Sequence, residues 1–464
     1  MTDPAVPTTG SAFPRGRIWV RNPQAVFTAN DLDARGGIVV DRGVIVEVLA
    51  AGAVPAEPCA QVFDASNHVV IPGLINTHHH FYQTLTRAWA PVVNTPLFPW
   101  LKLLYPIWAR LTPLDLELAT TVALAELLLS GCTTAADHHY LFPAGMENAI
   151  DIEASVVRRL GMRATLTRGS MTLGEDAGGL PPQSTVQDPE VILEDSERLI
   201  RHYHERAEGA VIQIALAPCS PFSVSTGIMR ASAELAEAHD VRLHTHLAET
   251  IDEEDFCRER FGLRTVDYLE SVGWLSSRTW LGHGIHFDDR EIARLGAAGI
   301  AVAHCPSSNM RLASGIARVV ELEDAGVPVG IGVDGSASND ASNLILETRQ
   351  ALYLQRLKYG AEAVTPARAL GWATRGSARA LGRHDIGELA PGKQADLALY
   401  TLDELRFSGS HDPLCALLLC GADRADRVMI GGCWRVADGQ IVGLDIPRLI
   451  ARHREAAARL MAHS

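Results

Sequence analysis

Several apolar runs of this sequence end in histidine or acidic residues, the side chains that most often bind metal ions. The run "VIPGLIN" leads into three consecutive histidines, His78, His79 and His80. Alternate residues of a strand project from the same face, so His78 and His80 can bind the same metal ion while His79 points away. A single His-x-His pair also arises by chance or in a solvated loop, so the pattern needs support from elsewhere in the chain.

Three later runs supply that support. "VRLHTHLAET" contains His246, "TWLGHGIH" contains His283, and "VPVGIGVDGS" contains Asp334. Three imidazoles and one carboxylate, with room for water, suit a catalytic zinc ion, with ferrous iron as the alternative. The sequence therefore predicts a divalent metal ion bound by His78, His80, His246 and Asp334.

Other histidines near the same runs have a less specific interpretation. His244 shares a face with His246 but lies farther from the end of the run, where a buried core histidine is the more common case. His286 and His304 are interpreted in the same way. The sequence has neither an H-E-x-x-H motif nor an H-x-E motif paired with P-C-x-x-C, which excludes two other kinds of zinc site.

The runs that carry these residues belong to a series of eight β-rich stretches separated by helical ones. Helical composition is clearest in "TPLDLELATTVALAELLLSG", where Thr112 can cap the N-terminus, Pro113 fits the first turn and Gly131 can end the helix. Eight such units favour a closed (β/α)8 barrel of the TIM type over a doubly wound open sheet. The predicted strands are 69–75, 133–137, 163–168, 211–217, 241–246, 279–283, 300–304 and 327–333.

Both ends of the chain predict β-structure outside the barrel. "GGIVVDRGVIVEVLA" is typical of a hairpin around 41–43, and "DRVMIGGCWRVADGQIVGL" has turn signals at 431–432 and 438–439. Neither segment has enough strands to bury a face alone, so we expect them to combine into one small β-sandwich-like domain. The expected divisions are 1–68 and 381–446 for this β-domain, 69–380 for the catalytic barrel, and 447–464 for a terminal helix.

The charge and composition exclude several classes of partner. The formal net charge is −14, which argues against nucleic acid or an anionic membrane as the main partner. The first residues show no basic segment followed by an apolar one, so no signal peptide is expected. Eight cysteines without a C-x-x-C pair are typical of reduced thiols in the cytoplasm. We therefore expect a cytoplasmic enzyme or small-molecule binder, either a monomer or a homo-oligomer.

Longer segments around the candidate ligands resemble the amidohydrolase superfamily, specifically its branch of purine and triazine deaminases. The resemblance rests on the order of His-x-His, "HLAE", His and Asp along the barrel, and on "IGELAPGKQADLALY", which is similar to that family's return into its β-domain. Four further segments narrow the resemblance to members that act on 8-oxoguanine. They are "NTHHHFYQTLTRAWAPVVNTPLFPWL", "GCTTAADHHYLFP", "APCSPFSVS" and "HCPSSNMRLASG". The resemblance runs nearly from end to end and implies a metal-dependent aminohydrolase.

The resemblance also implies a role for each remaining group at the strand ends. Asp334 would act as a metal ligand and as the base that accepts a proton from the attacking water. His283 would contact the attacking oxygen, and Glu249 would move the proton to a ring nitrogen and then to the amine. With 8-oxoguanine as substrate the products would be urate and ammonia, and isocytosine-like rings share the reacting edge.

Two substrate contacts follow from the resemblance, Gln83 and Arg168. Gln83, whose amide offers both a donor and an acceptor, matches a purine-reading position of related guanine deaminases. Arg168 matches a substrate-contacting arginine of adenosine-type deaminases, with a structural salt bridge as the alternative. Cys219 stands where relatives carry Arg or His, which weakens any transfer of their specificity. Trp89 and Trp100 either stack on a substrate ring or pack in the core.

The number of metal ions and the substrate class also depend on the resemblance. Some members of the superfamily bridge two metals with a carboxylated lysine on barrel strand 4, whereas the three lysines of this chain, Lys102, Lys358 and Lys393, lie elsewhere. We therefore expect one metal ion per chain.

An s-triazine, another purine or a pterin is the alternative substrate. A non-catalytic metal or purine binder is disfavoured, because the four ligands, Glu249 and His283 all occur together.

Overall fold

The computed structural model describes residues 16–462, so the first 15 residues of the predicted β-domain and the last two of the predicted terminal helix lie outside the described range. The strands are β1 (Ile18–Arg21), β2 (Ala25–Val26), β3 (Gly37–Asp41), β4 (Val44–Leu49), β5 (Gln61–Asp64), β6 (His68–Pro72), β7 (Leu74–Asn76), β8 (Cys132–Asp137), β9 (Arg163–Ser170), β10 (Ile212–Pro218), β11 (Arg242–Leu247), β12 (Thr279–His283), β13 (Ala301–His304), β14 (Val329–Ile331), β15 (Leu397–Thr401), β16 (Arg427–Ile430), β17 (Cys433–Ala437) and β18 (Gln440–Ile441).

The helices alternate with the central strands. They are α1 (Leu97–Trp108), α2 (Pro113–Leu129), α3 (Ala149–Leu160), α4 (Pro189–Tyr203), α5 (Thr226–His239), α6 (Ile251–Phe261), α7 (Thr265–Ser271), α8 (Asp289–Ala298), α9 (Pro306–Arg311), α10 (Val319–Asp324), α11 (Leu344–Tyr359), α12 (Pro366–Gly371), α13 (Ser377–Ala380), α14 (Pro413–Ala416) and α15 (Ile446–Met461). Across residues 16–462 no helix is both long and apolar enough to cross a membrane.

Strands β7 to β14 form the predicted barrel. In the described part of the chain these parallel strands close in the order β10-β11-β12-β13-β14-β7-β8-β9. Strands β8 and β9 are buried along their whole length, because helices cover the outside of the barrel and side chains fill its inside. The (β/α)8 prediction is confirmed, and all parallel strands direct their C-terminal ends to the same face.

The prediction that residues 69–75 form one continuous strand is wrong. Its first part is β6, which pairs with β15 in another sheet, and its last part is β7 of the barrel. The chain changes sheets at Gly73, where a Cβ would collide with the side chain of Thr133. An unbroken apolar run is compatible with either sheet, so its pattern alone does not reveal the break.

A small second domain combines both ends of the chain, as predicted. Strands β4-β3-β1-β5 form one sheet, and β18-β17-β16-β15-β6-β2 form the other. The two sheets share a core that includes Val20 and Ile38 from the first sheet and Val70, Leu397 and Met429 from the second. Because each sheet buries one face against the other, the β-sandwich-like prediction is confirmed. The exact domain limits stated above remain a prediction.

The residues at the two ends of helix α2 explain where this helix begins and ends. Thr112 accepts a hydrogen bond from the backbone of Asp115, whose carboxylate accepts one from the backbone of Thr112, so the two residues form a capping box. Pro113 occupies the first turn. The helix ends at Leu129, and Gly131 adopts a φ of +93°, which glycine tolerates best.

Candidate active site

The side chains predicted as metal ligands converge at the C-terminal end of the barrel. Nε2 of His78 and Nε2 of His80 lie 3.3 and 3.2 Å from Oδ1 of Asp334. Nε2 of His246 lies 3.2 Å from Nε2 of His80. Four tetrahedral ligands about 2.0 Å from a zinc ion are roughly 3.3 Å from one another, so these three separations are compatible with such a site. His79 points away and its Nε2 lies 2.9 Å from a serine hydroxyl outside the cluster.

Two of these imidazoles are oriented by backbone carbonyls. Nδ1 of His80 donates to the carbonyl oxygen of His138 at 2.7 Å, and Nδ1 of His246 donates to that of Cys219 at 2.7 Å. A ring nitrogen that donates in this way leaves the other nitrogen unprotonated in the neutral imidazole. Both Nε2 atoms therefore direct lone pairs into the cluster.

The third imidazole is oriented by another histidine. Nδ1 of His244 donates to the carbonyl oxygen of Trp280 at 2.8 Å, so Nε2 of His244 must be an acceptor. That atom lies 2.8 Å from Nδ1 of His78, which is therefore the donor. His244 is buried, as predicted for a core histidine, and it also fixes the tautomer of His78.

The charges of the cluster fit a bound cation. Burial lowers the pKa of His78 and of His246 well below the usual histidine value, so both rings are neutral. Lone pairs of the imidazoles and of the Asp334 carboxylate converge and repel one another, and a divalent ion removes that repulsion. The donor set therefore fits zinc or a similar divalent metal.

Two residues of the site have unusual backbone conformations. His283 and Asp334 have φ values of 69° and 63°, in the left-handed region that residues other than glycine rarely adopt. Such conformations cost about 1–3 kcal/mol each and concentrate at functional sites. Oδ1 of Asp334 accepts a hydrogen bond from the backbone of Gly335 at 2.7 Å, and Oδ2 accepts one from the hydroxyl of Ser338 at 3.2 Å. These two hydrogen bonds fix the orientation of the Asp334 carboxylate.

Glu249 and His283 form an acid–base pair beside the metal cluster. Nε2 of His283 lies 3.5 Å from Oε2 of Glu249 and 3.9 Å from Oδ2 of Asp334. Nδ1 of His283 donates to the amide oxygen of Asn309 at 3.0 Å, which fixes the orientation of the ring. Burial raises the pKa of Glu249. Burial lowers the pKa of His283, but the two carboxylates more than offset that effect and raise it overall. The pair is thus suited to holding and moving a proton.

A cavity opens above these groups and is roofed by α1. Trp100 belongs to this roof, and its indole nitrogen donates to the carbonyl oxygen of Ala337 at 3.2 Å. Trp89 is half-buried, packs against the core and is outside the cavity lining. The lining residues are His80, Gln83, Leu97, Trp100, Leu101, Tyr105, Tyr140, Cys219, Phe222, His246, Glu249, His283, Leu312, Asp334 and Ser338.

Gln83 lies in this cavity wall, as its predicted role requires. Its amide oxygen accepts a hydrogen bond from the backbone of Ala337 at 3.3 Å. The amide packs so closely against Gly335 that any Cβ there would overlap it. Gln83 is therefore held against the loop that carries Asp334, with its amide group beside the reacting centre.

Arg168 lies outside the cavity lining, contrary to what a substrate contact requires. Its Nε donates to Asp195 at 2.6 Å, and a terminal nitrogen donates to the side chain of Gln187 at 3.0 Å. The guanidinium also lies 3.8 Å above the ring of Phe142. These contacts favour the structural salt bridge that was the alternative interpretation.

Sequence reasoning missed several residues of the site. The ring of His138 lies 4.5 Å from that of His246, and one of its ring nitrogens is close enough to join the ligand cluster. Its position directly after β8, in "ADHHY", was a usable signal, since polar residues at strand ends mark barrel active sites. Tyr105 carried no such signal, because it lies in the interior of a helix whose docking depends on tertiary packing.

A second group of buried ligand-type side chains lies behind the strand ends. It consists of Asp137, His139 and Glu153. Oε1 of Glu153 lies 2.9 Å from Nδ1 of His139, whose Nε2 donates to the carbonyl oxygen of Leu141. Burial raises the pKa of Glu153 to about 8.

Comparison with known proteins points to one family. The amidohydrolase family model matches residues 69–434. The chain is 76% identical to an 8-oxoguanine deaminase of Pseudomonas aeruginosa over 446 residues, which cover 96% of this chain and 99% of that protein. It is 36% identical to a hydroxydechloroatrazine ethylaminohydrolase of Pseudomonas sp. strain ADP, over 90% of this chain and 89% of the relative.

Solved structures agree with the fold. An atrazine chlorohydrolase of Arthrobacter aurescens TC1, crystallised with zinc, superposes with a TM-score of 0.90 at 32% identity, covering 95% of this chain and 100% of that one. An amidohydrolase from a Sargasso Sea environmental sample superposes with a TM-score of 0.81 at 31% identity, covering 96% and 99%. Both resemblances extend across the barrel and the flanking β-domain.

Proposed function

The chain belongs to the amidohydrolase family, and on this basis we propose that it deaminates 8-oxoguanine to urate and ammonia. The observation that carries the proposal is the 76% identity, across nearly the whole of both chains, to an 8-oxoguanine deaminase. The relative that acts on a triazine derivative is only 36% identical. The cavity supports the same reaction, because it combines a metal-type ligand cluster and an acid–base pair with apolar walls that suit a flat ring.

The proposal includes one zinc ion per chain, held by His78, His80, His246 and Asp334. Its support is the three separations of 3.2–3.3 Å that join these donor atoms and the second hydrogen bond that orients each imidazole. When bound, the zinc ion supplies Lewis-acid activation of the attacking water. No lysine is present on the barrel strand where a bridging carboxylated lysine would lie.

The protein groups then handle the protons of hydrolysis. Water adds to C2 of 8-oxoguanine, the bond from C2 to the amino group breaks, and C2 keeps the oxygen. One water proton goes to a ring nitrogen and the other to the departing amine, which balances the reaction. In this proposal Asp334 accepts the first proton, and Glu249 carries protons to the ring and to the amine. His283 contacts the attacking oxygen and stabilises its developing charge.

The substrate proposal is tested by steady-state kinetics with 8-oxoguanine, guanine, isocytosine and a hydroxytriazine. We expect 8-oxoguanine to release ammonia and urate, and guanine to have a kcat/KM lower by roughly one to two orders of magnitude. The reason is that guanine lacks the 8-oxo group, so a buried polar partner in the site would be left unpaired, which costs about 1–3 kcal/mol. Efficient turnover of guanine or the triazine, with 8-oxoguanine inert, would overturn the assignment.

The metal proposal is tested by elemental analysis of the purified protein together with an activity titration. We expect activity to rise linearly with added zinc and to level off at about one ion per chain, since the four proposed ligands hold one ion and no lysine is available to bridge a second. Activity that saturates only at two ions per chain would contradict a mononuclear site. Ferrous iron and zinc are compared in parallel to identify the metal that supports turnover.

A further inference from the structure

Tyr105 presents an unsatisfied hydroxyl at the edge of the active-site cavity. The residue lies on α1 and its side chain lines the cavity, yet only 1% of its surface is exposed. Its hydroxyl has no hydrogen-bond partner among residues 16–462. Buried hydroxyls normally bond to protein or to an ordered molecule. A hydroxyl left unpaired at a cavity wall is therefore available to a ligand.

The neighbouring side chains do not satisfy this hydroxyl. Cys219 lies beside it, but burial raises the pKa of that thiol to about 12, so the thiol stays neutral and is a weak hydrogen-bonding group. Ser223 is also a neighbour, but the contacts of both residues with the Tyr105 hydroxyl fall outside hydrogen-bond geometry. The hydroxyl of Tyr105 is protonated, because burial raises its pKa well above the usual tyrosine value. It therefore remains a free donor.

Tyr105 reaches the cavity wall from a different element than the groups proposed to perform the reaction. Gln83 and Ser338 are bound to the loop around Asp334, on the side of the metal cluster. Tyr105 is contributed by the roof helix and lies beside Cys219, at the end of a different barrel strand. A substrate whose amino-bearing carbon is at the metal cluster extends its remaining ring beyond those groups. In 8-oxoguanine that remaining ring carries the C8 oxygen, which is a hydrogen-bond acceptor.

We propose that the Tyr105 hydroxyl donates a hydrogen bond to the C8 oxygen of the substrate and so selects 8-oxopurines over purines with hydrogen at C8. This inference rests on the proposed function, and it assigns the selectivity to one group. A purine without the C8 oxygen would leave the hydroxyl as unpaired as it is in the free protein. Tyr105 is thus a specificity-determining residue, and removing its hydroxyl should affect selectivity more than chemistry.

The test is Tyr105→Phe, which removes the hydroxyl and keeps the ring. Dissociation constants for urate and xanthine are measured by calorimetry on the zinc-loaded protein, because these two purines differ in the oxygen at C8. We expect urate to bind more tightly than xanthine to the unsubstituted protein. Tyr105→Phe should weaken urate binding by roughly three- to tenfold, as expected for one hydrogen bond, and change xanthine binding by less than about twofold.

Tyr268→Phe is the matched control. The Tyr268 hydroxyl is also buried and lacks a partner in the described structure, but the residue is outside the cavity lining. We expect this variant to keep the ratio of urate to xanthine affinity unchanged. Thermal unfolding of both variants should show an unchanged or higher Tm, because neither loses a hydrogen bond within the protein.

The possible failures are distinguishable. If the unsubstituted protein releases no ammonia from 8-oxoguanine, the proposed function fails. The inference about Tyr105 fails if the unsubstituted protein binds urate no better than xanthine, including the case in which neither binds. It also fails if Tyr105→Phe leaves the affinity ratio unchanged, or if its Tm falls by several degrees, since a fall would show that the hydroxyl has a structural partner.

Discussion

Replacing Glu249 by glutamine is expected to lower kcat by roughly two to four orders of magnitude, the usual contribution of a proton-transferring group. The amide has nearly the shape of the carboxyl but cannot accept and return a proton. Glu249 is buried and its Oε2 lies 3.5 Å from Nε2 of His283, so bulk water is poorly placed to replace it. Zinc content should stay at the level of the unsubstituted protein, because Glu249 is not among the proposed ligands.

The control for this variant is Glu259→Gln, which makes the same chemical change at an exposed position of α6. It should leave kcat within about twofold of the original value. The decisive measurement is single-turnover ammonia release per zinc-containing chain, which separates chemistry from metal loss and product release. A near-normal rate for Glu249→Gln would show that Glu249 is not the proton carrier and that water or His283 takes that role.

Replacing His246 by alanine is expected to weaken zinc binding by about a hundredfold or more and to abolish most activity at low zinc concentration. The variant loses one of the four proposed ligands. Substitutions that only disturb the orientation of a ligand already cost roughly 10- to 100-fold in affinity. The measurement is competition for zinc with a chelator of known affinity, followed by activity across a zinc titration.

Two comparisons make the His246 result specific. Added imidazole should restore part of the activity of His246→Ala, because alanine leaves a space the size of the missing ring beside the cluster. His202→Ala, at an exposed position of α4, should match the unsubstituted protein in zinc affinity and in rate. Zinc affinity that is unchanged in His246→Ala would remove His246 from the ligand set.

Much of the architecture could be predicted from local sequence. All eight barrel strands lie within or close to apolar runs bounded by turn residues, and the capped helix α2 has the predicted start and end. These features depend on periodicity and capping, which act over a few residues. The split β-domain could also be predicted, because neither terminal segment had enough strands to bury a face alone.

The candidate ligands could be selected from the sequence for a related reason. A parallel barrel brings the C-terminal ends of all its strands to one face, so histidine and aspartate at those ends must be neighbours. The alternation of His78, His79 and His80 further specified which two rings share a face. The structure brings Nε2 of both outer histidines within 3.3 Å of Asp334, although their role as ligands remains a proposal.

Tertiary structure alone decided the features that depend on distant partners. The apolar run at 69–75 divides between two sheets because Gly73 packs against Thr133, some sixty residues away. Arg168 lies near the C-terminal end of β9, where a substrate contact could lie, but its guanidinium is bound to Asp195 outside the cavity lining. Tyr105 lines the cavity because α1 folds over the barrel mouth. Local sequence determines which helices and strands form and which of their faces are apolar. Contacts between residues far apart in the sequence determine which of these elements pack together.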